Sequence, residues 1–399
     1  MSERYPEVRL RPGADKRLSH GHPWAFSNEI AMDAETKALP PGGIVCLKTA
    51  DGEERGVAMF NPHSLIAARV MSRSPHARID RADLAERVRH AAQMRDRLFD
   101  VPYYRLAHAE ADGLPGLAID RFGDLAVCQV NTAGMDRLGD DLAGALMDEL
   151  GIATVILRGD SPVRKLEGLE DSMRIVGRAP TEGIDVLENG FNYRASPIAG
   201  QKTGWFFDQR DNRAFMARLA EGASVLDVYT HTGGFGIACA AHRAASVDMV
   251  DRSEVGLAHA MEAAVANDVA ARCSTTASDA FENLQRRRDR AELFDIVICD
   301  PPAFARSKKD LGAGIRGYRK LTRMAAKLVA PGGYLAMASC SHHVDRDAFL
   351  FQVLRGVQDA GREGMVMRNT GAGPDHPIHM QLPESAYLKF VCLRLDQAG

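Results

Sequence analysis

The sequence has no CxxC pair and no tight cluster of cysteines. Its seven cysteines are an odd number, spread across 399 residues. That argues against a disulfide framework and against a structural zinc site, so no metal is expected. There is little excess charge. Fifty basic residues against 53 acidic ones give a formal net charge of -3, so no global basic field advertises nucleic acid, although local patches remain open. The N-terminal "MSERYPEVRLRPG" has no apolar core like that of a signal peptide, and no uninterrupted apolar run reaches membrane-spanning length. Low-complexity tracts and internal repeats are also missing. A reducing cytoplasmic location, with no membrane partner, is the expectation.

What is present falls into three segments. Residues 1–74 carry short alternating runs, "PEVRLRPG", "GGIVCLKTADGEERGVAMFN" and "SLIAARVMS", broken by Gly, Pro and Asp-Gly pairs. This predicts a small β-barrel or sandwich. Within it, "GHPWAFSNEI" sets Trp24 and Phe26 close to Arg17, His20 and His22. An RNA-facing platform and a packed core Trp both fit. Residues 75–188 read as helix, strands, helix and strand, a small α+β domain. The polar "EADGLPGLAIDRFGD" within that segment is better explained by tight turns than by catalysis.

Residues 189–399 alternate strand and helix: "SVLDVY", "GGFGIACAAHRAA", "SVDMVD", "EVGLAHAMEAAVAND", "FDIVICD", "RGYRKLTRMAAKLVAPGG", "GYLAMAS" and "VDRDAFLFQVLRGVQDAG". That is a doubly wound α/β sheet, and ligands of such sheets bind at the carboxyl ends of the strands. The chemistry-bearing residues fall there. In "VLDVYTHTGGFG", Gly233, Gly234 and Gly236 let the backbone turn and approach a ligand, a weak signal shared with dinucleotide enzymes. Asp227 ahead of them is more telling. A carboxylate there repels a pyrophosphate and suits a ligand carrying an ammonium or sulfonium, although it could also cap a helix. Asp251 ends the next strand, where it can accept ribose hydroxyls, and Asp279 follows the third, "CSTTAS", where it can accept from an adenine amino group. Three acids at three successive strand ends point to S-adenosylmethionine.

The fourth strand ends in Asp300, Pro301 and Pro302. The prolines stiffen the turn. The carboxylate and free carbonyls can then accept from the amino edge of a base. Arg306, Lys308 and Lys309 follow, as phosphate contacts would, although a solvated loop explains each of them singly. The fifth strand ends in "LAMASCSHH". Its Cys340 is expected in the same pocket as Asp300. A thiolate there could add to carbon 6 of a cytosine and make carbon 5 nucleophilic, with Asp300 holding N3 and the amino edge. Cys46, Cys128, Cys239, Cys273, Cys299 and Cys392 have no such setting and read as packing residues.

Together, "GQKTGWFFDQRDNR", "LDVYTHTGGFG", "DPPAFARSKK" and "ASCSHH" resemble the RlmI-type family of bacterial 23S rRNA cytosine carbon-5 methyltransferases, over nearly the whole chain. The resemblance implies an N-terminal PUA domain at 1–74, a central α+β domain at 75–188 and a class I methyltransferase domain at 189–399. It implies ribosomal RNA as partner, Cys340 as nucleophile, and Phe207, Asp208, Gln209 and Arg210 as residues of the cofactor side or pocket. It also favours the RNA-facing reading of Trp24. Tyr229 and His231 stand where the family often has a Phe and a Tyr, which bears on loop packing. The sequence admits a homodimer without fixing the oligomeric state. Methylation of an exocyclic base amine, which needs no thiol, and RNA binding without turnover remain as alternatives. A dinucleotide oxidoreductase is disfavoured by Asp227.

Overall fold

A computed structural model describes residues 5–198, 203–305 and 307–397. The chain forms two compact units: Met1–Glu182 with Ser196–Trp205 and Pro374–Pro383, and Gly183–Ala195 with Phe206–Gly373 and Glu384–Gly399. Among the described residues, no helix is long and apolar enough to cross a membrane.

The first unit holds two five-stranded sheets. One contains β1 (Glu7–Arg9), β2 (Trp24–Ala25), β3 (Gly43–Lys48), β4 (Glu54–Phe60) and β5 (Ala68–Ser72), in the order β1-β3-β4-β5-β2. Helix α1 (Arg81–Arg95) follows, its start capped by Asp80, whose carboxylate accepts from the N–H groups of Ala82 and Asp83. The other sheet has β6 (Tyr103–His108), β7 (Leu117–Phe122), β8 (Leu125–Val130), β9 (Thr154–Gly159) and β10 (Ser172–Gly177), in simple sequential order, with α2 (Gly139–Leu150) between β8 and β9. The predicted helix "MDRLGDDLAGALMDEL" is therefore shorter than its apolar spacing suggests, since a separate turn of helix, Ala133–Arg137, precedes it. The expected segment 1–74 and residues 75–182 of the next share one unit because Val57, Met59 and Met71 pack into the same core as Leu84, Leu106 and Leu117, while residues 183–188 fall in the second unit. Burial of apolar surface, not chain order, draws that boundary.

The second unit starts with a hairpin, β11 (Ile184–Glu188) and β12 (Phe191–Ala195), and α3 (Arg210–Ala217). Strand and helix then alternate: β13 (Ser224–Val228), α4 (Gly234–Ala241), β14 (Ser246–Asp251), α5 (Glu254–Ala266), β15 (Cys273–Ala277), α6 (Ala280–Asp289), β16 (Phe294–Cys299), α7 (Leu311–Ala326), β17 (Val329–Ser339) and α8 (Arg346–Asp359). β18 (Arg362–Thr370) and β19 (Lys389–Gln397) close the chain. The sheet order is β15-β14-β13-β16-β17-β19-β18, parallel except where β19 runs against β17 and β18. Successive connections leave β13 toward β14 and return to β16 on its other side, so the order reverses between β13 and β16. A reversal of this kind opens a crevice at the carboxyl ends. β13 and β16 are covered on both faces, which is why "VLDV" and "IVIC" are continuously apolar or buried rather than alternating.

Candidate active site

The loop after β13 is held in an unusual conformation. Tyr229 and His231 have positive φ (64° and 54°) beside Gly233 (83°), a region that non-glycine residues enter only when their surroundings impose it. Tyr229 and Thr230 donate their N–H groups to the Val250 carbonyl, and His231 donates its own to Asp251 Oδ2 at 2.9 Å. Asp227 is buried beneath this loop. Its Oδ2 accepts from Thr230 Oγ1 at 2.5 Å and from the Gly236 N–H at 2.8 Å. Burial pushes its carboxyl up to about 6, against the pull of those two donors. Oδ2 of Asp227 braces the start of α4, as the capping reading expects, while Oδ1 is buried with no hydrogen-bond partner among the described residues. Gly236 is required here, because a Cβ would come within 3.1 Å of Asp227 Oδ2 and 2.8 Å of Met249. An unsatisfied buried carboxylate oxygen and a glycine-lined loop fit a ligand that brings an ammonium group, as S-adenosylmethionine does.

The other two acids are already engaged. Asp251 Oδ1 accepts from the Ser253 N–H, so both of its oxygens hold backbone. Asp279 caps α6 through the N–H groups of Phe281 and Glu282 and pairs with Arg252. Burial opposes ionisation of Asp279, but those donors outweigh it and hold the carboxyl below its usual range. Phe207, Asp208, Gln209 and Arg210 are all buried at the entrance to α3. Asp208 accepts from the Tyr387 hydroxyl at 2.5 Å and leaves Oδ1 buried and unpartnered. Gln209 accepts from Asn212 at 2.8 Å.

Asp300 follows β16, and its N–H donates to the Val228 carbonyl. The residue as a whole is half-buried, with its carboxyl turned inward. Desolvation first, then the Asp208 and Asp227 carboxylates, push it up to about 7, against the Arg213 guanidinium. Pro301 is buried and Pro302 exposed. Lys308 and Lys309 lie exposed on a short turn, and Arg306 falls outside the described residues.

Cys340 follows β17, the neighbour of β16, so thiol and carboxyl stand at adjacent strand ends. The two serines around it explain the motif. Ser339 donates to the hydroxyl of buried Tyr318 at 2.9 Å, and Ser341 Oγ lies 2.8 Å from the same hydroxyl. Ser341 Oγ also accepts from the Ala305 N–H, and Tyr318 from the Phe304 N–H. Tyr318 thus ties the Cys340 segment to the loop that begins at Asp300. With both serines turned to Tyr318, alternation along the extended chain sends Cys340 the other way, where it keeps partial exposure. Cys46, Cys128, Cys239, Cys299 and Cys392 are buried, as packing residues should be, and Cys273 is partly so. The two histidines after Cys340 are exposed, and His342 stacks on Tyr387 at 5.1 Å.

Sequence reasoning missed Lys389. It is 3% exposed, pairs with Ser339 across β17 and β19, and donates to the carbonyls of Ser341 (2.6 Å) and Tyr387 (2.7 Å). Burial lowers its ammonium to about 8, while the Cys340 thiol within electrostatic reach acts in the opposite sense. The only sequence signal was a lysine opening the apolar run "KFVCLRL". Arg213 was also passed over; it is buried in a bidentate pair with Glu188.

Trp24 belongs to the first unit. Its indole N–H donates to Glu110 at 2.8 Å, and the Arg69 guanidinium lies 5.6 Å from its ring. The ring is half-buried and its one donor is already committed.

Comparison with known proteins agrees with this geometry. Residues 8–73 match a PUA-like domain and residues 169–368 an S-adenosylmethionine-dependent methyltransferase. The ribosomal RNA large subunit methyltransferase I of Shewanella denitrificans is 35% identical over 393 residues, 97% of this chain and 99% of that protein. The protein of the same name from Pseudoalteromonas atlantica is 33% identical over 386 residues, 96% and 97% of the two chains. Among solved structures, a protein assigned as a methyltransferase and complexed with SAH superposes with a TM-score of 0.82 at 20% identity, covering 98% of this chain and all of that one. Another, from Streptococcus mutans, gives 0.81 at the same identity and coverage. These two structures show the fold. The near full-length match at 35% identity shows the family: this chain is an S-adenosylmethionine-dependent methyltransferase and belongs to the ribosomal RNA large subunit methyltransferase I family.

Proposed function

We propose that the protein methylates carbon 5 of a cytosine in large-subunit ribosomal RNA, in the bacterial cytoplasm. The observation that carries this reading is the pairing of a partly exposed thiol, Cys340, with a protonatable carboxyl, Asp300, at the ends of two adjacent strands. Methyl transfer to an exocyclic amine calls for no such thiol.

Asp227, Asp251, Asp279 and the loop around Gly233 and Gly234, with Phe207, Asp208, Gln209 and Arg210, would hold S-adenosylmethionine, which supplies an electrophilic methyl group when bound. The rest is done by this chain's own residues. Cys340 adds as a thiolate to carbon 6, and the electron pair of the 5,6 double bond moves toward N3. Asp300, with its carboxyl near neutrality, gives N3 a proton or a strong hydrogen bond in the same step, the work of a general acid matched to operating pH. Carbon 5 becomes the nucleophile. Once carbon 5 carries the methyl group, solvent takes its proton, the thiolate departs and N3 returns its proton to the Asp300 carboxylate, which restores the ring. The buried Lys389 cation stabilises the thiolate before addition and after release. The stiff Pro301–Pro302 turn and Arg306, Lys308 and Lys309 would face the target strand. The PUA-like segment, Trp24 included, would contact RNA outside the target base.

The test is methyl transfer from labelled cofactor to unmodified large-subunit rRNA, followed by nucleoside analysis, for wild type and Cys340→Ala. Labelled 5-methylcytidine that disappears in the variant is expected. Label in an amino-methylated nucleoside, or full activity in the variant, would overturn the reading.

A further inference from the structure

A groove of about 750 Å3 runs between α6 and α7 in the second unit. On α6, Phe281, Gln285 and Arg288 lie at helical spacing along one face, with Arg286 beside them and Arg290 just past the end. On α7, Lys320, Arg323 and Lys327 form the facing stripe. Six cations line the groove against two acids, Glu282 and Asp289.

Five of these six cations lack an acidic partner among the described residues, while Arg290 lies 3.8 Å from Glu292. Most arginines here are paired: Arg95 with Asp112, Arg105 with Asp120, Arg213 with Glu188, Arg319 with Asp359. Even Arg287, within the same run, is held by Asp248 and Glu292. By contrast, Arg286, Arg288, Lys320, Arg323 and Lys327 make no ion pair among the described residues. The partial negative charge at a helix C-terminus favours cations in a last turn. That accounts for Arg286 and Arg288 at the end of α6 and for Arg323 and Lys327 at the end of α7, but not for Lys320, in the body of α7, nor for the alignment of two stripes across one groove.

One end of the groove, at Phe281 and Lys320, approaches the reaction site, and the remaining cations extend from there toward the starts of β16 and β17. Phe281 lies under Lys320, whose ammonium is 4.9 Å from its ring centroid. The same ring stacks on Phe304 at 6.3 Å, and Phe304 belongs to the loop that begins at Asp300 and is tied by Tyr318 to the Cys340 segment. A strand whose target base enters between Asp300 and Cys340 would therefore have a cationic track at hand.

We propose that the groove between α6 and α7 binds the phosphate backbone of the substrate RNA flanking the target nucleotide, as a site separate from the PUA-like segment. The chemistry is unpaired guanidinium and ammonium groups facing a polyanion, which fixes register without reading sequence. The proposal rests on the RNA-methyltransferase reading above.

Its test is binding of an unmodified large-subunit rRNA domain transcript by the full chain, from 50 to 300 mM salt, for wild type and the combined variant Arg288→Gln, Lys320→Gln, Arg323→Gln. All three side chains are exposed, and S-adenosylmethionine affinity serves as the fold control. Losing three phosphate contacts should weaken RNA binding by about tenfold and flatten the slope of log K against log salt by about 2. An unchanged affinity and slope in the variant would overturn the groove proposal alone. Wild type that binds S-adenosylmethionine but neither binds nor methylates the transcript would instead overturn the RNA reading beneath it.

Discussion

The two halves of the parallel sheet treat their strand-end polar groups in opposite ways. On the β13-β14-β15 side, the acids are drawn into the backbone: Asp251 holds the N–H groups of His231 and Ser253, Asp279 holds those of Phe281 and Glu282, and Asp227 holds that of Gly236. On the β16-β17 side, the groups are left reactive. Burial first, then the Asp208 and Asp227 carboxylates, push Asp300 up to about 7, and Cys340 stays partly exposed with Lys389 behind it. The contrast fits the two tasks proposed for these residues. A cofactor cradle gains from rigid, satisfied donors and acceptors that need no reorganisation. A nucleophile and an acid must keep a lone pair or a proton uncommitted until substrate arrives.

Replacing Cys340 by Ala is the strongest way to separate the halves. Methyl transfer should fall by about 10³-fold or more, while calorimetric titration finds S-adenosylmethionine affinity little changed. A large loss of cofactor affinity would mean the halves are not separable.

Asp300→Asn comes next. If the carboxyl works in its protonated form, kcat of wild type declines as pH rises through about 7, and the variant loses about 10²-fold or more together with that limb of the profile. The same shift has a stability consequence. The folded state holds the Asp300 proton up to about pH 7 and the unfolded state releases it near pH 4. Between those values the folded state binds more protons, so stability falls as pH rises through that window. Denaturation at pH 5 and pH 8 should show a smaller loss for Asp300→Asn than for wild type.

Lys389→Gln sharpens the comparison on the chemical side. Removing a buried cation next to a thiolate should move the midpoint of Cys340 alkylation by iodoacetamide upward by about one pH unit. An unmoved midpoint would reduce Lys389 to a tie between the Ser341 and Tyr387 carbonyls. The smallest effect is expected on the satisfied side, where Asp279→Ala removes the α6 cap. That should cost about 1 kcal/mol in urea denaturation. A cofactor affinity that falls along with stability would show Asp279 serving both helix and ligand.

Much of this arrangement was legible in the sequence. The alternation from Ser224 to Asp359 announced the doubly wound sheet, because periods of two and about 3.6 are written in local residue order. Cys340 and Asp300 could be placed at adjacent strand ends from that alternation alone. Other features were not legible. The serines around Cys340 had no evident purpose until Tyr318, about twenty residues earlier on α7, was found between them. Asp279 read as an adenine acceptor, although its carboxylate is spent first on capping a helix. Trp24 admitted both an RNA-facing and a core reading, and nothing in the local sequence pointed to Glu110 as the acceptor of its N–H.

The sequence by itself determined the order of elements, the family and the residue types at the carboxyl ends of the strands, since periodicity, glycine turns and motif spacing act over a few residues. Only the tertiary structure decided which groups are charged, which are already bonded and which remain available. Lys389 meets the Cys340 segment because β19 folds back antiparallel beside β17. The Asp300 proton depends on burial and then on Asp208, which stands at the entrance to α3, more than ninety residues earlier in the chain. The groove exists because two helices separated by a strand lie side by side. Desolvation and Coulomb terms fall off over a few ångströms of space, and distance along the chain says little about distance in space.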